Sequence, residues 1–253
     1  MIVLKSREEI ETMRRANRIV AQILAELKRM VRPGVSTGEI DRAAEDLTRR
    51  AGAKPAFKGY QVDDRTFPRT ICISINDEVV HGIPSDSRRL VEGDIVGLDF
   101  GVICNGFYGD AAITVPVGRV DAESEMLVRV AETALWEGIE HARPGKRLGD
   151  VSAAIQERAE RSGFSVVREF VGHGIGTRLH EDPQVPNWGS RNRGVRLRPG
   201  MVLAIEPMIN AGAGEVEILE DGWTAVTRDG RRSAHFEHSV AITENGPLVL
   251  SQV

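Results

Sequence analysis

The sequence predicts one α+β domain that consists of two similar halves around a central site. Two pairs of amphipathic helices occur, and the first helix of each pair ends at the same tripeptide, Arg-Pro-Gly, at 32–34 and at 143–145. Each pair is followed by apolar strand segments with one acid in a matching position, Asp99 in the first copy and Glu206 in the second. Because scaffold and unusual residues repeat together, we expect two pseudo-symmetric halves, about 1–120 and 121–253, in a single domain.

Two capping boxes mark the helices of the first half. Ser6 with Glu9, and Ser36 with Glu39, have the spacing that begins a helix. We expect the first helix to end before 32–34 and the second near Ala51. Apolar residues recur three and four positions apart along both. The inward positions are Ile10, Met13, Ile19, Val20, Ile23, Leu24 and Leu27 in the first helix and Ile40, Ala43, Ala44 and Leu47 in the second.

The second half repeats this plan. Asp121 begins a helix that ends before 143–145, and a shorter helix follows and ends at 162–163. Chance similarity is an alternative, because Arg-Pro-Gly is common where helices end. The strands argue against it, since 90–99 aligns with 197–206 and 80–83 with 172–175. The inward positions of the two helices are Met126, Leu127, Val130, Ala134, Leu135 and Ile139, then Val151, Ala154, Ile155 and Ala159.

Composition excludes several classes of protein. The net charge of −4 argues against attraction of the whole molecule to nucleic acid or to an acidic membrane. Two cysteines, Cys72 and Cys104, could form a disulfide, but so few are typical of a reduced, cytosolic protein. No apolar run approaches the roughly 20 residues of a membrane span, and the apolar N-terminus is too short for a signal peptide. We therefore expect a cytoplasmic protein.

Asp99 and Asp110 are acids within apolar strands. A buried carboxylate costs several kcal/mol, by order of magnitude, unless it is paired or binds a metal. The two strands join around Cys104-Asn105-Gly106, a hairpin signal. The acids are then directly opposite or one diagonal step apart, on one face. Two such carboxylates repel unless cations lie between them. The alternative is that Asp110 is a solvent-facing turn residue.

A structural role without metal binding is an alternative for each of Glu206, Glu237 and His173. Glu206 could be an edge-strand residue beside Pro207, and Glu237 an exposed polar residue of an alternating strand. A single histidine such as His173 more often belongs to a core or surface, although glycines on both sides permit a close backbone approach. Together, however, four carboxylates and an imidazole are the ingredients of a two-metal hydrolase site.

Eight short motifs occur in order from about residue 6 to the C-terminus, and together they closely resemble the bacterial-type (type I) methionine aminopeptidases. The resemblance implies the pita-bread fold and a monomeric metallopeptidase that removes N-terminal methionine from nascent proteins when the second residue is small and uncharged. The motifs are NDEVVHGIP at 76–84, DFG at 99–101, GDAA at 109–112, GHGIG at 172–176, HEDP at 180–183, IEPM at 205–208, DGWT at 221–224 and FEH at 236–238.

The resemblance also implies roles for individual residues. Two divalent cations would generate a hydroxide from water, and their identity stays open among cobalt, manganese, iron and zinc. Glu206 would carry the proton of that water, His180 would bind the carbonyl, and His81 would contact the amide of the second residue. The implied metal ligands are Asp99, Asp110, His173, Glu206 and Glu237, with Asp110 and Glu237 bridging the two ions.

A narrow apolar slot would select methionine. An ordinary aromatic core is the alternative interpretation of its residues. One departure from the family is the segment 61–66, where a shorter, glycine-containing link is usual, which puts the register of Phe67 in question. Asn76 and Ser233 match positions that can bind a monovalent cation. The implied slot consists of Tyr60, Phe67, Cys72, Leu179 and Trp223, with Phe57 nearby.

Two other functions share the scaffold. A proline-specific aminopeptidase or dipeptidase usually has an additional N-terminal domain, and a non-catalytic binding protein should have lost metal ligands. The expected partners are nascent N-termini, not DNA or membranes. Arginines cluster late in the chain, either as a solvated loop with paired charges or as a patch that docks on ribosomal RNA near the nascent-chain exit. They are Arg191, Arg193, Arg196 and Arg198, then Arg228, Arg231 and Arg232.

Overall fold

The computed structural model describes residues 1–252, and these contain four α-helices and seventeen strands. The helices are α1 (Arg7–Met30), α2 (Thr37–Arg50), α3 (Ala122–His141) and α4 (Leu148–Arg161). The strands are β1 (Lys54–Pro55), β2 (Gln61–Val62), β3 (Arg65–Thr66), β4 (Cys72–Ile75), β5 (Glu78–Val80), β6 (Ile95–Cys104), β7 (Phe107–Pro116), β8 (Ser165–Val166), β9 (Gly172–Gly174), β10 (Glu181–Val185), β11 (Val202–Ile205), β12 (Met208–Asn210), β13 (Val216–Ile218), β14 (Ala225–Thr227), β15 (Ser233–His235), β16 (Glu237–Thr243) and β17 (Gly246–Val249).

The predicted helices are present in both halves. Ser6 and Ser36 each accept the backbone N–H three residues on and complete a capping box with Glu9 and Glu39, and the Asp121 carboxylate caps α3. One core assignment is wrong, because Met126 is 37% exposed. Successive residues of an α-helix are about 100° apart around its axis. The Met126 side chain therefore points about 100° away from that of its buried neighbour Leu127 and lies outside the buried face of α3.

A nine-stranded sheet runs through both halves. Its main path is β1-β6-β7-β16-β11-β9-β10, with β4 paired to β6 and β17 to β16. The halves meet where β7 pairs with β16. Helix α1 packs on β6 and β7, whereas α3 and α4 pack on each other in the core of the second half. The interpretation of the chain as one domain with two halves stays a prediction, with which this continuous sheet agrees.

The hairpin of β6 and β7 has the predicted two-residue turn. Asn105 and Gly106 have positive φ angles of 50° and 81°, which a turn of this kind requires. Cys104 then pairs with Phe107, and the register continues to the pairs Gly101–Asp110 and Asp99–Ala112. Asp99 and Asp110 are therefore one diagonal step apart, the second of the two predicted arrangements.

Two further observations bear on the environment of the protein. Cys72 and Cys104 are both free thiols, so the disulfide that the sequence left open is absent from the described residues. Within residues 1–252, none of the helices combines the length and the apolar character needed to cross a membrane.

Candidate metal centre

Three acids lie on one face of the central sheet. Asp99 on β6 and Glu237 on β16 are each paired with Ala112 on β7, from opposite sides. Residues directly opposite each other on neighbouring strands share a face, and Asp110, two residues before Ala112, shares it too. The surface interpretations of Asp110 and Glu237 are wrong, since their exposures are 4% and 2%.

The second half of the sheet adds His173 and Glu206. Ala204 on β11 pairs with His173 on β9, and Glu206 follows directly after β11. The His173 Nε2 atom lies 3.5 Å from Glu206 Oε1. Ligand atoms of Asp110, His173 and Glu237 all lie within 4.8 Å of one another. The chain thus brings all five predicted ligands to one cavity.

The glycines beside His173 allow this close approach. A Cβ atom on Gly172 would be 2.4 Å from the Ala204 carbonyl oxygen, and one on Gly174 would be 2.2 Å from that of Asp182. Neither contact is tolerable, so β9 reaches its neighbours only with glycine at both positions. The same strand also sets the tautomer of His173. Its Nδ1 lies 2.9 Å from the Gly174 carbonyl oxygen, which can only accept, so Nδ1 carries the proton and Nε2 is free.

The carboxylates are not satisfied by the protein alone. Buried oxygens of Asp99, Asp110 and Glu237 have no hydrogen-bond partner among residues 1–252. Burial raises the pKa of Asp99 to about 7 and that of Glu206 to about 8. Burial, and then the charges of the neighbouring acids, raise the pKa values of Asp110 and Glu237 well above the usual range. Ionised carboxylates therefore need a cation here, and this set of oxygens with one imidazole fits divalent metal ions.

His180 and Tyr60 form a pair beside this centre. Burial raises the pKa of the Tyr60 phenol, so it keeps its proton and donates to His180 Nδ1 at 2.6 Å. The proton of the neutral imidazole is then on Nε2. Burial lowers the pKa of His180, which favours this neutral form. The His180 ring also packs edge-on against His173, with centroids 4.4 Å apart.

His81 lies in the same cavity in an unusual backbone conformation. Its φ angle of 62° is rare for a residue with a side chain, and such strained backbone conformations occur most often at functional sites. The ring packs edge-on against Phe170, with centroids 5.5 Å apart. Burial, and then the charges of His235 and His180, lower the pKa of His81 to about 4. The imidazole is therefore neutral near pH 7.

The predicted methionine slot lines this cavity as well, whose volume is about 300 Å³. Phe67, whose register was in question from the sequence, lies opposite Tyr60. The Tyr60 carbonyl accepts the Phe67 N–H at 2.8 Å. Phe67 packs edge-on against Trp223 at a centroid distance of 5.3 Å. The apolar lining near the acids includes Phe57, Tyr60, Phe67, Cys72, Leu179 and Trp223.

Asn76 and Ser233, the predicted monovalent-cation pair, are neighbours outside this cavity. The Ser233 N–H donates to the Asn76 carbonyl at 2.8 Å. The Asn76 amide oxygen already accepts the Ile95 N–H at 3.1 Å, and the Ser233 hydroxyl donates to the Ile209 carbonyl. Each side-chain oxygen is thus engaged within the protein, and the cation site stays a prediction.

One buried histidine was not recognised in the sequence. His235 is 4% exposed, and its Nε2 lies 3.6 Å from Glu206 Oε2 with no hydrogen-bond partner in the described part of the chain. It precedes Glu237 by two residues, so the alternation of strand side chains would have placed both on one side. Val62, Glu169 and Phe170 also line the cavity without a sequence signal.

The late arginines separate into two groups. Arg191 pairs with Glu157, Arg231 with Glu123 and Arg232 with Asp121. The other four have no ion pair within residues 1–252. They are Arg193, Arg196, Arg198 and Arg228.

The chain is similar in sequence and in structure to known proteins. Residues 11–244 match the family described as metallopeptidase family M24. Methionine aminopeptidase 1 of Bacillus subtilis is 51% identical over the whole of both chains. The crystal structure of methionine aminopeptidase from Thermotoga maritima superimposes over the whole of both chains with a TM-score of 0.97 and 47% identity.

A more distant structure shares the fold alone. Prolidase from Pyrococcus furiosus has a TM-score of 0.80 at 24% identity, and the chain covers 66% of that protein. The proline-specific peptidases that the sequence left as an alternative therefore share this architecture in a longer chain.

Proposed function

The chain belongs to metallopeptidase family M24, and we infer from this membership and from the site how it removes methionine from the N-termini of peptides. It is a metal-dependent aminopeptidase with the pita-bread fold. The observation that carries the chemistry is the row of buried acids with unpartnered oxygens beside His173. A non-catalytic protein on this scaffold would not need to keep that costly arrangement.

Five residues would hold two divalent ions. They are Asp99, Asp110, His173, Glu206 and Glu237, which all line one cavity, and the resemblance to the family implies that Asp110 and Glu237 would be shared between the ions. Such ions supply Lewis acidity towards water and the peptide carbonyl. One imidazole and four carboxylates are compatible with cobalt, manganese, iron or zinc, so the ligand types alone do not name the metal.

Glu206 is the proposed proton carrier. Its carboxylate takes a proton from the attacking water and delivers it to the nitrogen of the leaving peptide. Burial raises the pKa of Glu206 to about 8 when no cation is present, and a bound cation would lower the pKa and leave the carboxylate ionised to accept the proton. Its two oxygens lie 3.5 Å from His173 Nε2 and 3.6 Å from His235 Nε2, which is longer than an ordinary hydrogen bond, so neither imidazole holds the carboxylate.

The histidines act on the substrate amide. His180 Nε2–H, set by the Tyr60 hydroxyl, would donate to the carbonyl oxygen as it gains negative charge, which is typically worth about 3 kcal/mol per donor. His81, neutral near pH 7, would hydrogen-bond the amide of the second residue and assist its departure.

Selectivity follows from the position of the slot. Tyr60, Phe67, Cys72, Leu179 and Trp223 would contact the methionine side chain. The free amino group would lie at the acids near Asp99, so only N-termini could bind. The test of this proposal is to remove the metal from the protein, add back each of the four metals in turn, and measure cleavage of Met-Ala-Ser, Leu-Ala-Ser and Ala-Pro-Ser. Release of methionine from the first peptide alone supports it, whereas faster cleavage of the proline peptide would favour a proline-specific aminopeptidase activity.

We also propose three properties beyond the catalytic centre. These are a monovalent cation at Asn76 and Ser233, a monomeric single domain, and a cytosolic location. Nascent polypeptide N-termini are the proposed physiological substrates. Contact with the ribosome through the late arginines is also proposed, and the ion pairs of Arg191, Arg231 and Arg232 restrict it to the four unpaired ones.

A further inference from the structure

The segment 61–66, which replaces the family's shorter link, forms a hairpin that we name the mouth hairpin. Gln61 pairs with Thr66 and Val62 with Arg65. The ladder continues into the slot, since the Phe67 N–H donates to Tyr60 at 2.8 Å and the Gly59 N–H donates to Phe67 at 2.9 Å. The mouth hairpin is therefore a direct outward extension of the two slot residues Tyr60 and Phe67.

Arg65 fastens the mouth hairpin to the opposite wall. Its guanidinium donates to the Gly222 carbonyl and lies 5.9 Å from the centre of the Trp223 ring. A cation over an aromatic face at this distance is attracted to it. The hairpin is held by the ladder on one side and by the Trp223 loop on the other, so it is a fixed part of the cavity wall.

Val62 is the residue through which the mouth hairpin reaches the cavity. It lines the same space as the acids and yet is 38% exposed. The other exposed residues of the lining are Glu169 and His180. Since His180 is the proposed carbonyl contact, the scissile bond would lie near the mouth, and the residues that follow it would leave the cavity at the rim that Val62 and Glu169 form.

Spacing indicates which substrate residue meets Val62. Val62 follows Tyr60 by two positions and both side chains line the cavity, so they lie on one side of the chain, about 7 Å apart where the chain is extended. An extended peptide places its first and third side chains on one side with the same spacing. When the first side chain contacts Tyr60, the third is therefore aligned with Val62.

We propose that Val62 is a specificity-determining residue that contacts the third residue of the substrate and favours an apolar side chain there. This inference rests on the proposed function. An apolar contact at a half-open site favours such a peptide by a few-fold to about tenfold. A carboxylate in place of the valine would remove that preference, because an apolar side chain would then strip water from a charge.

The test is a ratio of kcat/KM values for Met-Ala-Leu and Met-Ala-Ser, which differ only at the third residue. In V62D the ratio should fall about tenfold from its wild-type value, and in V62L it should be retained or rise. V62K should favour Met-Ala-Asp over Met-Ala-Leu. The matched control is V91D, a change at a valine that is 57% exposed and does not line the cavity.

The outcomes distinguish this inference from the proposed function. Wild-type protein that releases no methionine from either peptide with any of the four metals would contradict the proposed function. An active wild type whose Leu-to-Ser ratio is the same in V62D, V62K and V62L would overturn the role of Val62. Equal loss on all peptides would also overturn it, because a structural defect lowers every rate without changing the ratio.

Discussion

Asp99 and Glu237 face one common neighbour, Ala112, from the strands on either side of it. Asp99 belongs to the first half of the chain and Glu237 to the second. They come to one face of the same sheet only because β7 and β16 pair at its centre. It follows that neither half contains the proposed site alone, and that ions between these acids would link the two halves of the molecule.

The first prediction concerns Glu206. Glu206→Gln keeps the shape of the side chain but removes its capacity to carry a proton and weakens its binding to a cation. We expect kcat for methionine release from Met-Ala-Ser to fall at least about a hundredfold at saturating metal. Circular dichroism and the thermal midpoint should show a folded protein. A purified variant with half of the wild-type activity would contradict the proposed role.

The second prediction concerns the pH dependence of stability without metal. Asp99 and Glu206 have folded-state pKa values of about 7 and 8, above the ordinary values of about 4. Their protonated forms stabilise the fold fully below about pH 4, and this contribution is lost as the pH rises through 7 and 8. The buried histidines have the opposite effect on stability, because burial lowers their pKa values. Their effect is confined to pH values below about 6.5, the ordinary pKa of histidine, where the unfolded chain binds protons.

We therefore expect the thermal midpoint of metal-free protein to fall between pH 6.5 and 8.5. Added manganese or cobalt should reverse the fall, since ionised carboxylates bind cations better. E206Q, which lacks one of the titrating groups, serves as the control and should show a shallower slope. A midpoint that rises over this range in the chelated wild type would be incompatible with the unpaired buried acids.

The third prediction concerns the second residue of the substrate. With methionine in the slot and the acids beyond it, His81 and Phe170 leave little space for the next side chain. We expect efficient cleavage of Met-X-Ser peptides when X is Ala, Gly, Ser, Thr, Pro, Val or Cys. Cleavage should be poor when X is Lys, Arg, Glu or Leu. Initial rates over such a panel measure this, and rapid release of methionine from Met-Lys-Ser or of leucine from Leu-Ala-Ser would disprove it.

Local features of the sequence predicted most of the fold. Capping boxes and the Asn-Gly turn act over a few residues, so the helices and the β6–β7 hairpin follow from them. Which acids meet depends on the pairing of β7 with β16, a contact between distant segments that no local signal specifies. The repeat of Asp99 and Glu206 indicated a shared centre. Alternation along the strand could have placed His235 on the side of Glu237, but its approach to Glu206 follows from the pairing of β15 with β12, which joins separate segments and has no local signal.

The last prediction concerns the late arginines. Three of the seven already pair with carboxylates, so their charge is largely neutralised locally. We propose that ribosomal phosphates are contacted by the four without ion pairs, which are Arg193, Arg196, Arg198 and Arg228. Changing these four to glutamate should abolish co-sedimentation with ribosomes at low salt, while cleavage of free Met-Ala-Ser continues. The matched control changes the three paired arginines to glutamine and should reduce co-sedimentation far less.

Salt provides an independent measure of the same contact. Each phosphate contact that is lost should reduce the slope of log affinity against log salt by about 0.7 to 0.9. The wild type should therefore show a steep slope and the four-arginine variant a shallow one. Unchanged ribosome binding in that variant would eliminate the arginine patch as a docking site. Equal loss of tripeptide cleavage would instead mean that these arginines support the fold or the catalytic site.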